Sequence, residues 1–216
     1  MEKKYILFDL DGTITDPKLG ITKSVKYALN KFNIEVDNLD SLCKFIGPPL
    51  KDSFIDFYGF TEEKAEDAIK YYREYFSVYG LYENFVYENL ESMLIQLNEQ
   101  GKSLIIATSK PAVFAEKILE HFGLMKYFDF VGGSNLDGTR VNKNEVILHA
   151  LSKNNIENLS EVIMIGDRKH DILGAKSVGI ESIGVLYGYG DYDELNSNGA
   201  DYIVESVREL ASLLLI

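Results

Sequence analysis

The sequence predicts an α/β protein: a mostly parallel sheet covered by helices on both faces, with a helical insertion after its first strand. Three observations carry this. Short apolar runs recur along the chain with helix-period segments between them, the pattern of strands joined by crossover helices. Two of those runs end at carboxylates beside glycines, at Asp9-Leu10-Asp11-Gly12 and Gly166-Asp167. Between residues 15 and 85 the alternation stops and only helical patterns remain.

Taken in order, Tyr5 to Leu10 is the first strand. Thr22 to Phe32, Leu50 to Tyr58 and Thr61 to Val78 read as helices of the insertion, with Ile46-Gly47-Pro48-Pro49 as a stiff turn between them. Ser103 to Thr108 is the next strand and Pro111 to Phe122 the next helix, with Gly123 as its stop. Phe128 to Val131 follows as a strand and Asn142 to Asn154 as a helix. Glu161 to Ile165, Ser182 to Val185 and Tyr202 to Val204 complete the strands. The expected organisation is a core of residues 1–15 and 86–216 with an inserted helical domain over 16–85. In open parallel sheets ligands bind beyond the carboxyl ends of the strands, so an insertion at that point would overhang the site.

Composition narrows the function classes. The 216 residues are 46% hydrophobic, enough for a substantial core, and no apolar run approaches the length of a membrane span. The opening Met1-Glu2-Lys3-Lys4 shows no secretory signal, and a lone Cys43 excludes an intramolecular disulfide framework. A soluble, cytoplasmic protein is therefore expected, as a monomer or homodimer. The net charge of -12 argues against a nucleic-acid polymer as partner, because such binding relies on Lys and Arg. It leaves room for a small phosphorylated metabolite or nucleotide, since a local cation or metal suffices for one.

The candidate site residues lie at the ends of the predicted strands. Asp9 and Asp11, two apart, project to the same side if extended geometry continues that far. Crowded carboxylates repel unless a cation or proton separates them, which suggests a hard ion such as Mg²⁺. Read blandly, the same residues form an acidic turn. Asp167 and, four residues later, Asp171 repeat the pattern, with a turn and a helix cap as their plain alternatives. Together the four carboxylates could converge. Thr108 and Ser109 end a strand just before Pro111, where hydroxyls and backbone N–H groups can hold an anion or merely cap a helix. Lys143 and Lys110 are the main candidates for a compensating ammonium.

Other matches fail on spacing. Gly101-Lys102-Ser103 imitates the end of a nucleotide-binding loop, but Gln96 stands where its earlier glycine belongs and a strand follows. Gly188-Tyr189-Gly190 has Asp193 in place of the third glycine of a dinucleotide fingerprint. His121, His149 and His170 lack zinc spacing. The sequon Asn158-Leu159-Ser160 is idle in a cytoplasmic protein.

With those residues assembled, the chain resembles the haloacid dehalogenase superfamily along essentially its whole length. Asp9-Leu10-Asp11-Gly12-Thr13, Thr108-Ser109, Lys143 and Gly166-Asp167 through Asp171 resemble its four motifs in order. The resemblance implies a Rossmann-like core with a C1 cap. Phe45-Ile46-Gly47-Pro48-Pro49-Leu50, Thr108-Ser109-Lys110-Pro111 and Gly188-Tyr189-Gly190 are most similar to the phosphoglycolate phosphatase group and its 5'-nucleotidase-like branch. Many members have Lys-Pro at the third motif, where this chain has Lys143-Asn144.

What the resemblance implies is a Mg²⁺-dependent phosphatase acting through an aspartyl-phosphate. Asp9 would be the nucleophile and Asp11 the acid, then the base. Asp9, the Asp11 backbone carbonyl, Asp167 and Asp171 would hold the metal. Thr108, Ser109 and Lys143 would hold the phosphoryl oxygens, and Gly47 in the cap would face the substrate. A phosphomutase of the same superfamily shares this core, and a phospho-aspartate receiver switch shares its carboxylates, hydroxyl and lysine.

Overall fold

The computed structural model describes residues 2–215. The chain forms two compact units, one of Met1–Asp16 with Val86–Ile216 and a second of Pro17–Phe85. The chain begins with β1 (Tyr5–Phe8) and β2 (Thr15–Asp16), passes through α1 (Lys18–Asn30), α2 (Leu50–Tyr58) and α3 (Glu62–Tyr75), and returns at β3 (Phe85–Val86). It continues as α4 (Leu90–Glu99), β4 (Ser103–Pro111), α5 (Ala112–His121), β5 (Phe130–Ser134), α6 (Lys143–Lys153) and β6 (Val162–Gly166). The last elements are α7 (Lys169–Val178), β7 (Glu181–Val185), α8 (Tyr192–Ser197), β8 (Tyr202–Val204) and α9 (Val207–Leu214).

In the first unit six strands form one sheet in the order β5-β4-β1-β6-β7-β8, with every pairing parallel. The α/β expectation therefore holds. Leu7, Ile105, Ala107, Val162 and Met164 pack on one face against Val146, Ile147 and Ala150 of α6 and Ala175 of α7. Ile6, Phe8, Leu104, Ile106, Ile163 and Ile165 alternate to the other face and are equally buried. Strands buried on both faces explain why they read as continuous apolar runs.

The register sets the site. Phe8 pairs with Ile106 of β4 on one side and with Ile165 of β6 on the other. The strand order reverses around β1, and ligand crevices form beyond the carboxyl ends at such a point. Asp9 and Asp167 therefore follow the ends of β1 and β6, with Thr108 beside them in the last part of β4.

In the second unit, α1 starts a turn earlier than its sequence pattern. Thr22, a cap residue by type, instead donates its hydroxyl to the Lys18 carbonyl at 2.6 Å, a bond available mid-helix. A 3₁₀ segment over Leu39–Phe45 precedes the Gly-Pro turn, and α3 ends in a π turn over Phe76–Gly80. The aromatic residues mostly pack this unit's own interior. Phe45 and Phe54 are buried edge to face at 5.1 Å, and Phe54 stacks on Phe60 at 5.8 Å. Phe57 and Tyr79 remain exposed, at 37% and 59%.

Candidate active site

Strand β1 stops at Phe8, so Asp9 and Asp11 do not lie along one extended run. The reason is local. The Leu10 carbonyl accepts from the N–H groups of Thr13, Ile14 and Thr15, and the Gly12 N–H donates to the Thr15 carbonyl, closing a tight turn. Gly12 adopts φ 80, and a Cβ there would fall 2.1 Å from the Asp167 carboxylate, so only glycine lets this turn lie against β6.

Asp9, Asp167 and Asp171 converge: ligand oxygens of all three lie within 4.8 Å of one another, and all three residues are buried. Asp9 is fixed by its N–H, which donates to the Ile165 carbonyl at 2.8 Å. Asp171 lies in the first turn of α7, where one carboxylate oxygen accepts the Arg168 N–H at 3.1 Å. Its cap reading and its site reading are thus both realised, one oxygen each. Asp167 accepts the Tyr189 N–H at 2.7 Å.

Lys143 joins the cluster from the first residue of α6, a helix started by Asn142 with Glu145. Its ammonium lies 2.9 Å from Asp9 Oδ1 and 2.7 Å from Asp171 Oδ1, and donates to the Ala107 carbonyl at 3.0 Å. Burial opposes its charge, yet the Asp171 and Asp9 carboxylates outweigh that and hold its pKa above the usual lysine range. On Asp171 burial dominates, opposed by Lys143 and reinforced by Asp9, leaving the carboxyl raised to about 6. Burial and the neighbouring charges of Asp171 and Asp9 push Asp167 well above the carboxylate norm.

Burial is the first cause of both raised carboxyl values, and the neighbouring carboxylates add to it. Asp9 Oδ1, Asp167 Oδ1 and Asp171 Oδ1 are buried with no well-aligned hydrogen bond, although Lys143 stands at ion-pair distance from two of them. Unsatisfied buried carboxylate oxygens are costly. One carboxylate oxygen from each of three buried residues, all within 4.8 Å of one another, fits a hard divalent cation of the Mg²⁺ type, which takes oxygen ligands and few protein carboxylates.

The fourth carboxylate does not join them. Asp11 turns instead to Lys110, whose Nζ lies 2.6 Å from Asp11 Oδ1, with both side chains buried. The expected convergence of four carboxylates is therefore corrected to three, because the Leu10 turn swings Asp11 away and a buried ammonium holds it there. Burial raises the Asp11 pKa despite Lys110.

Thr108 is buried, and its hydroxyl accepts the Lys110 N–H at 3.3 Å. It caps nothing, since α5 begins at Ala112 with Pro111 at its cap position and no side-chain cap bond. Ser109 is half-buried beside it. Gly47 belongs to the second unit and adopts φ 103, so a backbone requirement already explains its identity.

Two site residues escaped the sequence reading in their actual roles. Lys110 was visible only as an alternative to Lys143, whereas the structure uses both ammoniums on different carboxylates. The Tyr189 N–H contact to Asp167 left no signal except the flanking glycines.

A six-stranded parallel α/β core with carboxylates, a hydroxyl and two buried lysines gathered at the carboxyl side of its strands and the starts of the following helices is an architecture suited to phosphoryl transfer. Residues 6–185 match the family model for the haloacid dehalogenase-like hydrolases, and the chain belongs to that family as a phosphatase. It is 46% identical over 209 residues to a 5'-nucleotidase of Pseudomonas aeruginosa, covering 97% of this chain and 94% of that protein. A tyrosine-protein kinase, PtkA, of Mycobacterium tuberculosis is 35% identical over 204 residues, covering 94% and 69%. A phosphoglycolate phosphatase of Colwellia psychrerythraea is 28% identical over 217 residues, covering 97% and 96%. The crystal structure of a predicted phosphatase from Clostridium acetobutylicum superposes with a TM-score of 0.97 at 53% identity, covering 100% and 99%.

Proposed function

We propose that the chain is a Mg²⁺-dependent phosphomonoesterase that works through an aspartyl-phosphate on Asp9. The observation that carries this reading is the spatial separation of four buried carboxylates: three converge, two of them on Lys143, while Asp11 is held apart by Lys110.

Asp9, Asp167 and Asp171 would hold the ion, with the Asp11 backbone carbonyl as a further ligand. When bound, Mg²⁺ supplies positive charge to the transferring phosphoryl group. Asp9 attacks phosphorus through a carboxylate oxygen as the bond to the leaving oxygen breaks. Asp11 gives that oxygen its proton and then takes one from the water that hydrolyses the aspartyl-phosphate. Lys143, Thr108 and the Ser109 N–H hold the equatorial oxygens. Lys143 also keeps Asp9 oriented, since its ammonium already bridges Asp9 and Asp171.

For substrate class we infer a nucleoside monophosphate. Support comes from the 46% identity to a 5'-nucleotidase against 28% to a phosphoglycolate phosphatase, and from exposed aromatics of the second unit such as Phe57 and Tyr79, suited to stacking on a base. The second unit is proposed to act as the specificity cap. The test is a phosphatase screen over nucleoside monophosphates, phosphoglycolate, sugar phosphates and phosphotyrosine peptide, with Mg²⁺ and with chelator. Higher kcat/KM on nucleotides, abolished by chelator, is expected; preference for phosphoglycolate or a phosphopeptide would overturn the substrate assignment.

A further inference from the structure

The loop after β7 touches both halves of the catalytic apparatus, and nothing in the reaction scheme above employs it. Its Tyr189 N–H donates to Asp167 Oδ2 at 2.7 Å. The Tyr189 hydroxyl donates to Asp16 Oδ1, and the Tyr187 hydroxyl to the Thr13 carbonyl at 3.1 Å. Tyr187 also packs edge to face on Tyr87, with ring centroids 4.8 Å apart. One short loop thus grips Asp167 on one side and the Thr13–Asp16 segment, just after Asp11, on the other.

The backbone is built for that grip. A Cβ on Gly188 would lie 2.4 Å from both Asp167 Cβ and the Gly12 carbonyl oxygen. The loop is therefore wedged against the turn that aims Asp11 and the residue that completes the cluster. Burial, and after it the Asp167 charge, raise the pKa of the Tyr187 phenol.

We propose that Tyr189 is a positioning residue: its bond to Asp16 fixes the Leu10–Asp16 turn, and with it the Asp11 carboxylate, relative to Asp167. The inference deepens the phosphomonoesterase reading and rests on Asp11 being its acid. Asp11 is anchored at its side chain by Lys110, but its backbone is carried by a turn of only a few residues. The Tyr189–Asp16 bond ties down the far end of that turn. Without it, Asp11 still titrates and Asp167 still has its N–H donor, while the distance from Asp11 to the leaving oxygen loosens. Precise placement of a proton donor matters most when the leaving group needs the proton.

The test compares Tyr189→Phe, Asp16→Ala and Asp11→Asn with the wild type in single-turnover release from p-nitrophenyl phosphate and from an alkyl phosphate, alongside Mg²⁺ titration. Tyr189→Phe is expected to slow alkyl phosphate release about tenfold, the effect of losing one hydrogen bond to a charged group. Release of p-nitrophenolate, which leaves unprotonated, is expected to change by less than about twofold, with the Mg²⁺ midpoint unmoved. Asp16→Ala removes the acceptor of the same bond from its half-buried end and should behave alike even if the tyrosine variant fails to fold. The double variant should be no worse than either single one. Equal slowing on both substrates, or none, while Asp11→Asn still discriminates, overturns the positioning role alone. Failure of Asp11→Asn to discriminate sinks the acid role and this inference with it.

Discussion

Lys110 and Asp11 form a buried ion pair at 2.6 Å, and that contact separates the fourth carboxylate from the three that converge, two of which pair with Lys143. The same two residue types at a strand end would otherwise collapse into one mixed-charge knot. Removing the ammonium tests the partition. Lys110→Met should leave Asp11 without its buried partner, a change that costs about 3–5 kcal/mol when a buried pair is broken. Activity on alkyl phosphates should fall further than activity on p-nitrophenyl phosphate. Wild-type stability and an unchanged substrate ratio would show that the pair is incidental.

Lys143 is expected to be the more costly of the two lysines. It touches two carboxylates and the Ala107 carbonyl, so Lys143→Met removes both the orientation of Asp9 and a donor for the transferring group. A loss of about 10²–10³-fold in kcat is expected, the scale seen when one donor to a developing charge is deleted. Kinetics at saturating Mg²⁺ check this; full rescue by high Mg²⁺ would make the lysine a mere charge balance.

Asp167→Asn should stabilise the metal-free protein while abolishing its response to Mg²⁺. Asp167 is buried among like charges that, after burial itself, raise its pKa, and an amide oxygen can still accept the Tyr189 N–H. Relief of about 1–2 kcal/mol would raise the melting temperature by roughly 2–8 °C in a chain of this length. Thermal melts with chelator and with Mg²⁺ read both effects. A lowered metal-free melting temperature, or a Mg²⁺ shift equal to wild type, would remove Asp167 from the ion site.

Much of the core was legible because its strands are buried on both faces and so write themselves as apolar runs. The site residues were legible as strand-end carboxylates and a helix-start lysine. The direction of Asp11 was not: residue spacing predicts shared facing only while a strand continues, and the Leu10 carbonyl ends it by collecting three N–H groups. Strand β4 also outruns its pattern, extending through Pro111 with a register irregularity after Ala107, which carries Thr108 and Lys110 without helical capping. Helices α4, α8 and α9 were passed over. In α8 only Leu195 is buried, so no apolar period marks it; α4 buries Leu90, Met93, Leu94 and Leu97, and α9 buries Val207, Leu210 and Leu214 behind a Ser206 cap, so their helical spacing was present in the sequence.

The Gly-Pro turn of the second unit offers a cleaner specificity test at Pro48 than at Gly47. With φ 103, Gly47 resists any side chain for backbone reasons alone, so Gly47→Val would confound strain with recognition. Pro48→Ala should leave the p-nitrophenyl phosphate rate within about twofold and change the ratio of nucleotide to phosphoglycolate kcat/KM by at least about threefold. An unchanged ratio would make the turn a connector only.

The central claim is that Asp9 carries the phosphoryl group. Acid-quenched enzyme, mixed with phosphorus-labelled substrate and Mg²⁺, should yield an acid-stable, base-labile label on the peptide containing Asp9. Asp9→Asn should lose the label and at least about a thousandfold in turnover. Label on a peptide lacking Asp9, or an Asp9→Asn variant that keeps more than about a tenth of the wild-type rate, would contradict the account.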